Sequence, residues 1–187
     1  AIETADIKAL STAALRALNA DQLSTLSAGQ VAALSSSQVA SLTADQLAGL
    51  STANLNAMGT ALFAGLTSTQ VAALTAAQVA KLETADVAAL GTAALKGLGA
   101  DAIISLTTAQ AAALTTAQLA AFSSAQLSAL ETADIAALST ANVKALSNTA
   151  LASLSAEQVG ALGTAQIAAL STSQIAALKP DQVANMG

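Results

Sequence analysis

Bulky apolar residues recur along the chain at two fixed places in every eight. Taking Leu10 as position 8 of a unit and stepping by eight gives Leu18, Leu26 and Leu34, and so on to Leu178 and Met186. Only Met58, Phe122 and Met186 depart from leucine in that series. Position 5 is as regular, from Ile7, Leu15, Leu23 and Val31 to Ile167, Ile175 and Val183, with Ala111 its only small residue. The register defines 23 consecutive octads over residues 3–186, without insertion or deletion, on a consensus close to STAQIAAL. A self-similarity this strict is the signature of a repeat architecture.

The polar positions mark a helix start in each octad. Position 1 is Ser, Thr, Asn or Gly in 19 of 23 octads, the residues that cap helix N-termini. Position 4 is Gln, Asp or Asn in 18 of 23. A hydroxyl followed three residues later by Gln forms a capping box, and Leu at the preceding position 8 with Ile or Val at position 5 forms a hydrophobic staple. Pro180 stands at position 2, the first helical residue, where its missing N–H removes no bond. Acidic residues at position 3 (Asp21, Asp45, Asp101, Glu157, Asp181) and basic residues at position 6 (Lys8, Arg16, Lys96, Lys144) agree with the helix dipole.

Other geometries fit less well. On one continuous helix the eight-residue period would carry the leucines around every side, leaving no face to bury. In a strand, positions 5 and 8 would point to opposite faces, and the Ala-Ala between them is poor strand material. Helices of about six residues do not persist alone, so neighbours must stabilise one another. The fold class expected is all-α: a solenoid or superhelix of very short helices, one per octad. It runs over 1–187 as a single continuous array, expected to be a segment of a longer one. Position-4 glutamines would form a parallel ladder, hydrogen-bonding between neighbours as well as capping. Gly49, Gly65, Gly97 and Gly160 suggest tight contacts.

A weaker, longer period overlies the octad. Position 4 turns apolar at Ala14, Leu62, Ala94, Ala102 and Ala150, and bulky position-6 residues (Arg16, Asn56, Lys96, Ile104, Lys144) fall nearby. ETADIKALSTAALRAL also returns as ETADVAALGTAALKGL. The spacing of five to six octads suggests one superhelical turn or a relic of duplication. Ala1-Ile2 fit the end of a preceding octad and Gly187 the start of a following one. Neither terminus carries a polar capping repeat, which points to a longer array or to end-to-end stacking into a fibre.

Composition narrows the chemistry. Aromatics are 1 %, charged residues 9 % and net charge −5, so nothing forms a basic footprint for nucleic acid or anionic lipid. Mean hydropathy is +0.62, but polar residues interrupt the apolar runs far short of the roughly 20 residues a spanning helix needs. There is no His or Cys to act as base, nucleophile or soft metal ligand, and the Ser and Thr residues are accounted for as caps. The carboxylate pairs Glu3/Asp6, Glu83/Asp86 and Glu131/Asp134 read as solvated, dipole-stabilising groups, too sparse in oxygen for a calcium loop. No catalytic, cofactor-binding or metal-binding residue is therefore assigned, no cofactor is expected, and the chain is not expected to be an enzyme.

The run TTAQAAALTTAQLAAFSSAQLSALETADIAALSTANVKAL resembles the octapeptide arrays of very large proteobacterial surface or exported proteins, often labelled haem utilisation or adhesion proteins. The resemblance covers essentially the whole chain and implies an extracellular or cell-surface location. No His, Cys or Tyr is present to serve as an axial haem ligand. KPDQVANMG is also similar to the opening helix of longer DNA-binding effector repeats, but the octad period and acidic balance set the chain apart. The function expected is a structural scaffold: an adhesin stalk or spacer, or a self-assembling filament subunit. Its partner would be itself, end to end or laterally, or a surface ligand, with no nucleic acid and no membrane span. The alternative is a binding module that offers a Thr/Gln ladder to a repetitive ligand, carbohydrate or ice; position 2 is Thr or Ser in 15 octads.

Overall fold

The computed structural model describes residues 3–186; Ala1, Ile2 and Gly187, which the register gives to flanking octads, lie outside the described residues. Each of the 23 octads forms one helix of four to seven residues, and every helix begins at position 2, from Thr4 in octad 1 to Pro180 in octad 23. The cap at position 1 is extended in nearly every octad, for example Ser11 at φ −68°, ψ 155°. The preceding position 8 is commonly extended as well, as at Leu10 with φ −61°, ψ 130°. Two successive extended residues therefore turn the chain between helices. Where octads repeat this pair, each helix is offset from the last in nearly the same way.

One corner is built differently. In octad 7 the helix runs on through Met58, Thr52–Met58, and Gly59 makes the whole turn at φ 70°, ψ 167°. That left-handed backbone strains any residue with a Cβ, which accounts for glycine here. Among the described residues it is the one with positive φ.

The helices divide into two compact units, Ala1–Leu98 and Gly99–Gly187, and the division falls between octads 12 and 13. In the first unit helices stack on the third one after them, as Thr12–Ala17 on Ser36–Ser41, Ala28–Ala32 on Thr52–Met58, and Thr60–Phe63 on Thr84–Ala89. The second unit repeats the rule, with Thr108–Ala113 on Thr132–Ala137 and Ala156–Gly160 on Pro180–Ala184. Each unit is thus an all-α solenoid of one-octad steps, and no strand occurs among the described residues.

The apolar pattern fills the interior of each coil. Position 5 is buried throughout octads 1 to 20, with Ile7, Leu15, Val31 and Leu151 at 0 % exposure. Position 8 is buried from Leu26 to Leu162. Octads 3 to 20 therefore each contribute two side chains to a narrow core that small residues let the backbone approach. Gly49 would place a Cβ 2.9 Å from the Ala20 Cβ and Gly160 one 2.8 Å from the Asn185 carbonyl, while at Gly97 a Cβ would collide with the Ser68 carbonyl. Gly65 departs from expectation: its nearest neighbour is Leu62 O in its own octad at 3.5 Å, an ordinary contact.

The long period is not the turn of the coil. Hydrogen bonds between successive turns join residues 25 to 31 apart, as in Ser128 to Ser153 and Gln38 to Ile7. One turn therefore takes between three and four octads, not five to six. The apolar position-4 residues Leu62, Ala94 and Ala102 share the buried environment of the glutamines, whereas Ala14 is exposed. They mark no separate face.

Candidate functional site

What recurs through the described residues is the polar seam at position 4. In octad 5 the Ser35 hydroxyl accepts from Gln38 N (3.3 Å), and the Ser35 N–H donates to Gln38 Oε1 (2.8 Å). That is the capping box read from sequence. The other end of the same amide points into the previous turn. Gln38 Nε2 donates to Ile7 O (2.8 Å) and Leu10 O (2.9 Å), positions 5 and 8 of the octad four places earlier. Those carbonyls belong to a helix C-terminus, where the last four C=O groups lack partners within the helix. One glutamine thus caps the start of its own helix and the end of another.

The arrangement repeats. In the first unit Gln46 reaches Leu15 and Leu18, Gln70 reaches Val39 and Leu42, and Gln78 reaches Leu47 and Leu50. In the second, Gln158 reaches Leu127 and Leu130, Gln166 reaches Ile135 and Leu138, and Gln182 reaches Leu151 and Leu154. The cap residue need not be a hydroxyl: Gly163 N and Lys179 N donate to Gln166 and Gln182 Oε1 at 2.7 and 2.8 Å. Asparagine is one methylene shorter and spans less. Asn54 Nδ2 reaches only Leu26 O (2.9 Å) and Asn142 Nδ2 only Leu114 O (2.8 Å), each 28 residues back.

Burial follows from that reach. Position 4 is exposed at Asp6, Ala14 and Gln22, half-buried at Gln30, and buried at Gln38 and Gln46. A position-4 side chain is enclosed once four octads precede it, the half-buried Ala150 excepted. A buried amide is tolerated only when its donors and acceptors are matched, and the two carbonyls and the cap N–H match it.

Three carboxylates occupy position 4, each with Glu at position 1. Asp6 accepts from Glu3 N (2.8 Å) and is exposed. Asp134 is 1 % exposed and accepts from Glu131 N (3.3 Å). Burial pushes its carboxyl above the ordinary value, while that backbone bond and a hydrogen bond from the Thr108 hydroxyl pull the other way. Asp86, 1 % exposed, is the poorest fit: its Oδ2 has no hydrogen-bond partner. Burial first, and the Glu83 charge second, push it up to about 6. Sequence reading treated these pairs as solvated helix starts, and for Asp86 and Asp134 the side chains are buried. The signal was available: they stand where glutamine otherwise stands, in a position the ladder encloses.

Elsewhere the surface is plain. The Thr and Ser residues of position 2 are nearly all exposed, Thr108, Thr116, Thr132 and Thr140 among them. A groove of about 460 Å³ opens beside the first octads, walled by Ile7, Leu10, Ala14, Leu18 and Leu26 with Asp21, Gln22 and Thr25 at its polar side. It is the core of the coil left uncovered, with no acid–base pair in it. Among the described residues no group of three His, Cys, Asp or Glu could hold a metal ion, and no helix is long and apolar enough to cross a membrane.

Fold and seam together define an octapeptide-repeat helical protein, each turn tied to the last through a buried amide. The ALTTAQ repeat family matches residues 1–36, 47–82, 79–116, 112–140, 127–164 and 160–187. The chain belongs to that family. A search of curated proteins finds no match.

Proposed function

We propose that the chain is a structural scaffold, not an enzyme, whose task is to set a distance: a stalk or spacer, or the subunit of a filament, at the cell surface or outside the cell. The observation that carries this is the uniform joint. Each full seam is the same three-part contact, repeated within each unit, and side-chain chemistry is consumed in holding turns together. The surface location rests on the resemblance to the octapeptide arrays of surface and exported proteins. Self-association, end to end or lateral, fits the low charge, since few like charges keep copies apart.

Small-angle scattering on chains lengthened by whole octads tests the reading. A maximum dimension that rises in equal increments per octad supports it; a dimension that grows only as a compact globule would contradict it. A second reading is favoured by one observation, the exposed hydroxyls of position 2, which could meet a repetitive ligand such as a carbohydrate or ice surface. Glutamine drops out of that reading, because its amide is spent inside the seam. Replacing Thr116, Thr132, Thr140 and Thr164 by Lys would abolish such binding and leave the helical signal intact.

A further inference from the structure

Two buried members of the seam are carboxylates, Asp86 and Asp134, and of these Asp86 has an oxygen with no hydrogen-bond partner. Position 4 of octad 11 lies four octads after octad 7, inside the enclosed part of the ladder, and there the chain places Asp86. A glutamine or asparagine in this position brings N–H donors to backbone carbonyls one turn earlier, as Gln78 and Asn54 do. A carboxylate brings only acceptors. Asp86 is 1 % exposed, its Oδ2 is unpartnered, and its octad lacks the capping box found in the other two Glu-Thr-Ala-Asp octads. The junction 28 residues earlier is also the unusual one, where the helix runs on through Met58 to the Gly59 corner.

Around Asp86 the charges are few. The helix it belongs to, Thr84–Ala89, stacks on Thr60–Phe63. Octads 7 and 8, STANLNAM and GTALFAGL, hold no titratable side chain. On its own octad the one other charge is Glu83, whose side chain makes no cap hydrogen bond. Lys81, just before it in sequence, is exposed. No cation is placed to compensate a buried carboxylate, and the nearest charge named has the same sign.

We propose that Asp86 makes closure of this turn of the first unit depend on pH: it enters the seam as the neutral acid, and its ionisation weakens the seam. A proton turns the carboxyl into the donor that the position calls for. The coil is then tightest in mildly acidic surroundings and loosens locally at neutral pH. The direction of the effect follows from linkage. The folded chain holds the proton up to about pH 6, whereas the unfolded chain releases it near the ordinary 3.8. Between those values the folded state binds more protons than the unfolded one. Asp86's contribution is therefore fully kept below pH 3.8 and lost as pH rises through about 6, then flat above.

The test compares the intact chain with Asp86→Asn by urea unfolding at several pH values from 4 to 8. Asparagine is already used at this position in octads 7 and 18, so the variant has precedent within the fold. The folded-to-unfolded ratio of the unsubstituted chain, relative to the variant, is expected to fall on the order of a hundredfold between pH 4 and pH 7. Glu83→Gln supplies an independent reading: removing the neighbouring charge should move the midpoint of that fall to lower pH. Direct titration of the Asp86 carboxyl by NMR, which needs no variant, should give a midpoint well above the ordinary aspartate value of 3.8. A variant-to-parent difference that is constant across the range, or an Asp86 midpoint at the ordinary 3.8, would overturn the proposal.

Discussion

Replacing Gln70 by Met keeps the volume and flexibility of the side chain and removes all of its hydrogen bonding. Gln70 is 4 % exposed. Its Nε2 donates to Val39 O at 2.8 Å and Leu42 O at 3.0 Å, and its Oε1 accepts from Thr67 N at 3.0 Å. At about 1 kcal/mol net for each bond the loss is about 3 kcal/mol. Burying an apolar group in place of the amide returns roughly 1 kcal/mol, so Gln70→Met should cost about 2 kcal/mol. The chain contains its own control. Gln22 makes the same capping box, with Oε1 accepting from Asn19 N at 3.0 Å, but it is exposed and has no octad four places before it within the described residues. Gln22→Met should then cost less than about 1 kcal/mol, the worth of a single exposed bond. Urea unfolding followed by circular dichroism measures both, with the midpoint shifting and the slope unchanged. Equal losses at the two sites, within about 0.5 kcal/mol, would refute the argument that glutamine acts between turns.

Further outcomes follow from other residues. Gly97→Ala should destabilise by more than about 2 kcal/mol, because its Cβ meets the Ser68 carbonyl and backbone cannot yield cheaply. Gly29→Ala, in the helix Ala28–Ala32 with nothing within 4 Å, should instead stabilise by about 0.5–1 kcal/mol; thermal unfolding reads both. Ser51→Ala removes the hydroxyl that accepts from Asn54 N at 3.1 Å and should cost about 1 kcal/mol by urea unfolding. Deleting residues 67–74, one whole octad, should leave a cooperative helical fold, because every later position 4 still stands four octads above a position 5. Deleting only 67–70 breaks that register and should abolish the cooperative transition.

What could be read from the chain divides at the octad boundary. Cap, box and staple are local, spanning positions 8 to 5, so each helix start was legible and all 23 helices begin at position 2. How the helices coil was not. The turn of 25 to 31 residues depends on the backbone torsions between helices, and an eight-residue period is compatible with many values of those torsions. Composition drift at position 4, read as a turn of five to six octads, fails for the same reason: alanine and leucine there occupy the glutamine environment, not another face. The ladder between neighbours was legible as a possibility, because a Gln has more hydrogen-bonding capacity than a capping box uses. Its second anchor four octads away was not, since that distance depends on the coil. The buried state of Asp86 and Asp134 was hidden likewise; Asp at the start of a helix is ordinarily solvated, and enclosure comes from the turn below.

The most direct measurement is hydrogen exchange and nuclear Overhauser contact at the glutamine side-chain amides. In a coil joined through position 4, the Nε2 protons of Gln70, Gln78 and Gln158 exchange slowly and show contacts to residues 28 and 31 places earlier, while those of Gln22 exchange as in a free side chain. Uniformly fast exchange, with no contact from Gln70 to Val39 or Leu42, would contradict the account.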